Sequence, residues 1–259
     1  MHLPRMWIYR QCGAFLMKIF LSALESGNDC PYILERIPKL KWNLMSFFYL
    51  NEDRFKAIEK QSEQILIDSG AHSFQKGKKV DWIEYTKKYA RWIQENDTPK
   101  KLGFFEMDVD VVIGYEAVLE LRKILESVSD KIIPVWHKNR GIKDFKEMCH
   151  KYAGKIIAVT GFRNGDIRDE QYALFYEYAK KNDCKIHCLG MTRRNILDKV
   201  PFDFVDSSSW KQQALFGRIG KNKVKKEFSK TNRNEVCYQS YLQAMEMQEE
   251  YFRKWRAYD

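Results

Sequence analysis

Carboxylates recur at the ends of apolar runs in this chain. Ile65–Asp68 is followed by Ser69-Gly70-Ala71-His72-Ser73-Phe74-Gln75, and Phe204–Asp206 by Ser207-Ser208-Ser209-Trp210. Between them lies Glu106-Met107-Asp108-Val109-Asp110, in which acids alternate with apolar residues. Two aspartates at separate run ends, each before a run of small residues, are more than helix capping alone requires. Three alternating acids read as one strand face, able to bind a metal or to accept hydrogen bonds from a base edge. Each has a simpler reading as well. Asp68 and Asp206 are good helix N-caps. Gly70, Gly161 and Gly190 are either ordinary turn residues or places where backbone must approach a flat ligand. His187, inside an apolar run and flanked by Cys184 and Cys188, is equally a core histidine or a functional one, and no further ligand completes a zinc pattern there.

The elements that must position these residues are short apolar runs alternating with amphipathic stretches. The runs are Lys18–Ser22, Leu44–Phe48, Ile65–Asp68, Phe104–Asp108, Ile132–Trp136, Ile156–Thr160, Lys185–Leu189 and Phe204–Asp206. Most are continuous and rich in β-branched and aromatic residues, as parallel strands buried on both faces require. The segments Trp82–Glu95, Tyr115–Ser127, Lys143–Tyr152 and Asp169–Asn182 have helical periodicity, and Glu25–Asn43 shows it weakly. Eight strands alternating with helices predict an α/β fold, a single (β/α)8 barrel whose site lies at the carboxyl ends of the strands. At 259 residues, 44% of them apolar, the chain suits one such domain. Residues 1–16 read as an N-terminal extension, 17–259 as the barrel, and Glu235–Tyr258 as a C-terminal helix that caps or packs against it.

The net charge is +10, and 211–233 concentrates it, with eight basic residues against one acid, Glu227. Such a stretch suits phosphate contacts from Lys211, Arg218, Lys221, Lys223, Lys225 and Lys226, or else is a solvated surface. Six scattered cysteines without paired short spacings argue against a disulfide framework and predict a reducing, cytoplasmic setting. No apolar run reaches the ~18 residues of a membrane span.

Taken in order, these segments resemble the tRNA-guanine transglycosylase superfamily, which includes the queuine and archaeosine enzymes and phage and bacterial DNA-guanine transglycosylases. The resemblance runs from about Ile65 to about Trp210. DSGAHSFQ resembles the family's DSGGFQ loop with an insertion. FEMDVD, AVTGFRNG, HCLGMTRRNIL and FDFVDSSSW resemble the later strand ends. The resemblance implies base exchange without a cofactor or metal. Asp206 would be the nucleophile and Asp68 the proton carrier. Asp108 would read guanine, and Ser69, Gly70, Phe74, His137, Gly161, Gly190 and Met191 would line the site. The partners implied are DNA or tRNA and a free 7-deazaguanine base of the preQ0 or preQ1 kind. Two departures stand out. WHKNRG replaces the family's glutamine–glycine motif, and no zinc-binding cluster of cysteines and histidine follows the last strand. A short, zinc-free barrel is closer to the DNA-acting members, with tRNA as the alternative. Two other functions fit the residues: a metal-dependent barrel hydrolase using Glu106, Asp108, Asp110 and His137, and a non-catalytic nucleic-acid-binding barrel.

Overall fold

A computed structural model describes residues 16–74, 80–162, 165–219, 222–225 and 232–256. The strands are β1 (Lys18–Ser22), β2 (Leu40–Ser46), β3 (Ser62–Asp68), β4 (Lys101–Phe105), β5 in two pieces (Ile132–Ile133 and Val135–Trp136), β6 (Ile156–Thr160), β7 (Lys185–Leu189) and β8 (Phe204–Ser207). All their pairings are parallel. The outermost segments of the sheet order are the two pieces of β5, the first paired with β4 and the second with β6. The row therefore closes on itself, giving the expected eight-stranded barrel.

The helices are α1 (Cys30–Arg36), α2 (Glu52–Gln61), α3 (Trp82–Asn96), α4 (Asp110–Ile113), α5 (Tyr115–Glu126), α6 (Gly141–Lys151), α7 (Tyr172–Lys181), α8 (Arg194–Leu197), α9 (Ser209–Leu215) and α10 (Arg233–Arg256). Local chemistry starts them. Asp81 accepts the Glu84 N–H at the head of α3, and Asn51 accepts the Arg54 N–H at the head of α2. Among the described residues no helix is long and apolar enough to cross a membrane.

The apolar residues form two layers. Phe20, Trp42, Leu44, Leu66, Phe105 and Phe204 are among those that fill the barrel interior, while a larger cluster packs the strands' outer faces against the helices. Helix α9 spans only seven residues, so α10 completes the wall beside β1. Its Gln248 amide donates to the carbonyls of Ile19 and Trp42, and its Phe252 packs on Trp42. The terminal helix thus packs along the barrel and reaches its amino end.

One expected element is placed differently. The fourth strand stops at Phe105, not Asp108, so Glu106, Asp108 and Asp110 do not share a strand face. The cause lies in β5. Pro134 has no N–H and breaks the ladder there. The Glu106 carboxylate bridges the break, accepting the Val135 N–H at 2.8 Å while its own N–H donates to Ile133 O. Arg122 and Arg140 both donate to the same carboxylate, and Arg140 also donates to Val135 O. The group is buried. Removing Glu106 strands the buried Arg122 guanidinium and leaves Arg140 with Asp110 as its close acid, a loss of about 3–5 kcal/mol. Glu106→Ala is therefore expected to lower Tm by 10 °C or more, roughly. A thermal melt within about 2 °C of wild type would show that the strand break closes without it.

Candidate active site

Asp206 lies at the end of β8, beside β1 on one side and β7 on the other. Three donors from three elements converge on it. Ser22 Oγ donates to Oδ2 at 3.2 Å, while His187 Nε2 and the Gly190 N–H both reach Oδ1 at 2.9 Å. Among the described residues no lysine or arginine joins them. His187 is the buried histidine of the β7 run. Its ring packs edge-on against Phe105, with Phe20 also close, at the top of the barrel interior. Because its partner is a carboxylate oxygen, Nε2 carries the hydrogen. Gly190 adopts a φ of +64°, with open space where a side chain would stand. The conformation, not crowding, calls for glycine, and it aims the N–H at Asp206.

Asp68 ends β3 next to Ser46 of β2. Its Oδ2 accepts the Gly70 N–H at 3.1 Å. A Cβ on Gly70, whose φ is +75°, would sit 2.8 Å from both Phe48 N and Ser46 Oγ. Glycine is what lets the loop fold back over the acid. Burial, together with the charges of Asp206 and Asp108, raises the Asp68 pKa to about 6 against the opposing Gly70 hydrogen bond. Neither Asp68 nor Asp206 caps the helix after it, since α3 is capped by Asp81 and α9 follows Ser208.

A further acid, Glu25, stands behind this pair. It follows β1 by three residues, is buried, accepts the Ser46 N–H through Oε1 at 2.9 Å, and leaves Oε2 without a partner among the described residues. Burial raises its pKa to about 7, and the charge of Asp68 adds to the effect. In the sequence it stands at the head of the weakly helical stretch Glu25–Asn43, with no expected role in the site. The signal was present, since it is an acid just past a strand end, like Asp68.

On the β4–β6 side, Asp108 turns toward the mouth. His137 joins it to a second acid, with Nε2 at 2.6 Å from Asp108 Oδ1 and Nδ1 at 2.8 Å from Asp166 Oδ2. Thr160 also donates to Asp166. Burial opposes a charge on the imidazole, but Asp108 and Asp166, with Asp110 behind, outweigh it and push its pKa up to about 9. At neutral pH it is an imidazolium between two carboxylates. Asp108 Oδ2 accepts from no neighbour among the described residues and faces the opening.

This corrects two expectations. His137 has both nitrogens committed, so it positions Asp108 and has no nitrogen left for a base. Glu106 serves the strand break, and Asp110 is held by Asn139 and Arg140. Asp108, Asp110 and His137 do bring one ligand atom each within 4.8 Å of one another. A cation there would have to compete with Arg140, whose guanidinium lies 3.1 Å from Asp110 and 4.0 Å from Asp108.

Other expected contacts are also corrected. Ser69 and Met191 are fully buried and cannot reach a base. Gly161 is pressed against the backbone of Leu189 and Met191, and its N–H donates to Leu189 O, so it joins two loops and does not face a ligand. Lys211 is not a phosphate contact, because it is buried with both oxygens of Asp29 at 2.5 and 2.6 Å. Phe74 remains beside the Asp68 loop, stacked edge-on with Phe48 and Tyr85. Arg218, Lys223 and Lys225 are exposed, the first two in a small hairpin after α9. Gln75, Lys221 and Lys226 lie outside the described residues.

Comparison with protein-family models, curated proteins and solved structures returns no match. The chemistry must be argued from the site itself.

Two pH effects follow. The folded-state pKa of Glu25, about 7 against 4.5, is raised, so its contribution to stability is complete below pH 4.5 and is lost as pH rises through 7. Glu25→Gln should stabilise the protein at pH 8 by up to roughly 3 kcal/mol, with the gain vanishing near pH 4.5. Urea melts at the two pH values test this, and a loss of stability at pH 8 contradicts it. The raised pKa of His137 acts across a higher window. Its contribution is complete below about pH 6.5 and is lost as pH rises through 9. The difference in Tm between wild type and His137→Gln should shrink over that window, and a constant difference would exclude a charged imidazole.

Proposed function

We propose that this chain is a nucleic-acid guanine transglycosylase that exchanges guanine for a free 7-deazaguanine base, with DNA favoured over tRNA as the polymer. The observation that carries the reading is the contrast between two strand-end carboxylates. Asp206 is fixed by three donors, with no lysine or arginine on it among the described residues. Asp68 is enclosed so that it gains and loses a proton near neutrality. Paired acids with diverging environments are what nucleophilic displacement with general acid–base assistance needs.

In this reading Asp206 attacks C1′ of the target nucleotide. Oδ2 is the freer oxygen, since Oδ1 already holds two donors. An ester bond forms to C1′, and the C1′–N9 bond breaks with its electron pair passing to guanine. Asp68 supplies the proton that neutralises the departing base. The incoming base then gives its N9 proton to the Asp68 carboxylate, attacks C1′ and releases Asp206. Two displacements retain the configuration of the sugar. Asp108 Oδ2 accepts from the guanine Watson–Crick edge while the His137 imidazolium holds Oδ1. The target nucleotide is flipped out, at a cost of a few kcal/mol. Arg218, Lys223 and Lys225 replace Lys211 among the phosphate contacts.

Incubation with labelled guanine and either tRNA or DNA, followed by counting the polymer, tests the reading and chooses between the two substrates. Wild type should incorporate label and give a denaturation-resistant adduct. Asp206→Asn should lose both, by on the order of 10³-fold or more. Asp68→Asn should lose about 10²–10⁴-fold. Undiminished exchange by Asp206→Asn would rule out this nucleophile. Loss of activity on adding a chelator would favour a hydrolase built on Asp108, Asp110 and His137. Unlabelled polymer in every arm, bound equally well by wild type and both variants, would leave a binding protein only.

A further inference from the structure

The rim of the mouth is apolar where a soluble barrel would ordinarily be polar. Phe162, directly after β6, is 79% exposed, and Tyr49 and Phe48, directly after β2, are 46% and 37% exposed. In a closed barrel of eight strands, β2 and β6 lie four strands apart and face each other across the opening. Two aromatic groups therefore stand on opposite sides of the mouth, with Asp68 and Asp206 on strand ends and Asp108 in the segment after β4.

Each group is held in place. Phe48 packs edge-on against Tyr49 with ring centroids 4.9 Å apart, and against Phe74 at 4.6 Å. It also leans on the Gly70 turn that holds Asp68. The Phe162 carbonyl accepts the Gly165 N–H at 3.1 Å, and the residue is largely exposed. Exposed cations follow other elements of the barrel. Lys138 follows β5, and Arg218, Lys223 and Lys225 follow α9.

We propose that these two aromatic lips stack the bases flanking the target nucleotide, so that the substrate is an unpaired or looped strand and not an intact duplex. The proposal rests on the transglycosylase reading for what happens to the nucleotide between the lips, but not for the gripping itself. Exposed rings on a strongly basic chain suit one occupant above others. A base offers a flat face to a ring at every position, and its phosphates meet the lysines and arginines. In a duplex the same faces are already stacked on each other. The chain's net charge of +10 favours the same polyanion. The lips also account for how a flipped nucleotide would be kept extruded, since stacked neighbours on both sides prevent the strand from closing over the gap.

Binding of a fluorescein-labelled oligo(dT) strand to wild type tests the grip without exchange, because the strand holds no guanine. Wild type should bind it more tightly than the matching dA·dT duplex. Phe162→Ala and Tyr49→Ala should each weaken strand binding by roughly 5- to 150-fold, the range for one lost stack. Duplex binding and the salt dependence should be unchanged. Phe162→Trp should retain the affinity, which a merely structural role would not ensure. Lys223→Ala should instead reduce the salt slope by about one. Equal affinity of both alanine variants and wild type for the strand overturns the proposal. So does a wild-type preference for duplex, or a wild-type dimer that dissociates on Phe162→Ala while strand binding is unaffected. The two readings fail separately. Strand binding through the lips with no labelled guanine incorporated would sink the exchange chemistry alone. Incorporation at wild-type efficiency by the alanine variants would sink the lips alone.

Discussion

Closure of the barrel depends on how the Pro134 gap is spanned. A proline in a central strand removes a ladder hydrogen bond and is normally confined to edges and bulges. Here the missing bond is supplied from the neighbouring strand end. Glu106 accepts the Val135 N–H, and Arg140 donates to the Val135 carbonyl. The carboxylate that replaces the backbone bond must itself be balanced, which brings Arg122 and Arg140 into a buried cluster. That cluster then shapes the site. Arg140 also holds Asp110 and lies near Asp108, and the short turn Lys138–Arg140 starts directly beyond His137. The same strand break thus sets where Asp108 and His137 stand.

A second buried pair fixes the opposite side of the mouth. Lys211 on α9 and Asp29 just before α1 join the segments that follow β8 and β1. Ser22 and Asp206 end those two strands, so the pair steadies the approach of one to the other. A buried ion pair is an expensive way to gain stability. Its value here is positional, since it leaves Glu25 and Asp68 as the acids on this side without a cation in direct contact.

The fold was legible because parallel strands buried on both faces leave continuous apolar runs, and all eight carboxyl ends fall within about three residues of where those runs stop. The second strand was read late, from Leu44 instead of Leu40, because Lys41 and Asn43 interrupt its apolar pattern. Asn43 is buried all the same, satisfied by Ser62 and by Tyr241 of the distant terminal helix. No local pattern shows that such a partner exists. The site was legible in its aspartates and illegible in its charge balance. Which of several lysines is neutralised by Asp29, and which of three alternating acids is held by arginine, are facts of tertiary contact. The burial of Ser69 and Met191 was hidden for the same reason, since the family resemblance that flagged them is blind to the side chains that cover them.

Charge balance is also what separates the acids by task. A carboxylate that must bind a neutral base edge gains from a neighbouring cation, which holds its geometry and removes the cost of burying a net charge. Asp108 has this in the His137 imidazolium. A carboxylate that must attack carbon loses nucleophilicity when a cation draws its electrons, so orientation by neutral donors serves it better. Asp206 is oriented by Ser22, His187 and Gly190, with no lysine or arginine on it among the described residues. A carboxylate that must trade a proton needs its charged form disfavoured, which burial beside other acids achieves at Asp68. Three aspartates of identical intrinsic chemistry are thereby suited to three roles, and each difference traces to the donors that the adjoining strand ends provide.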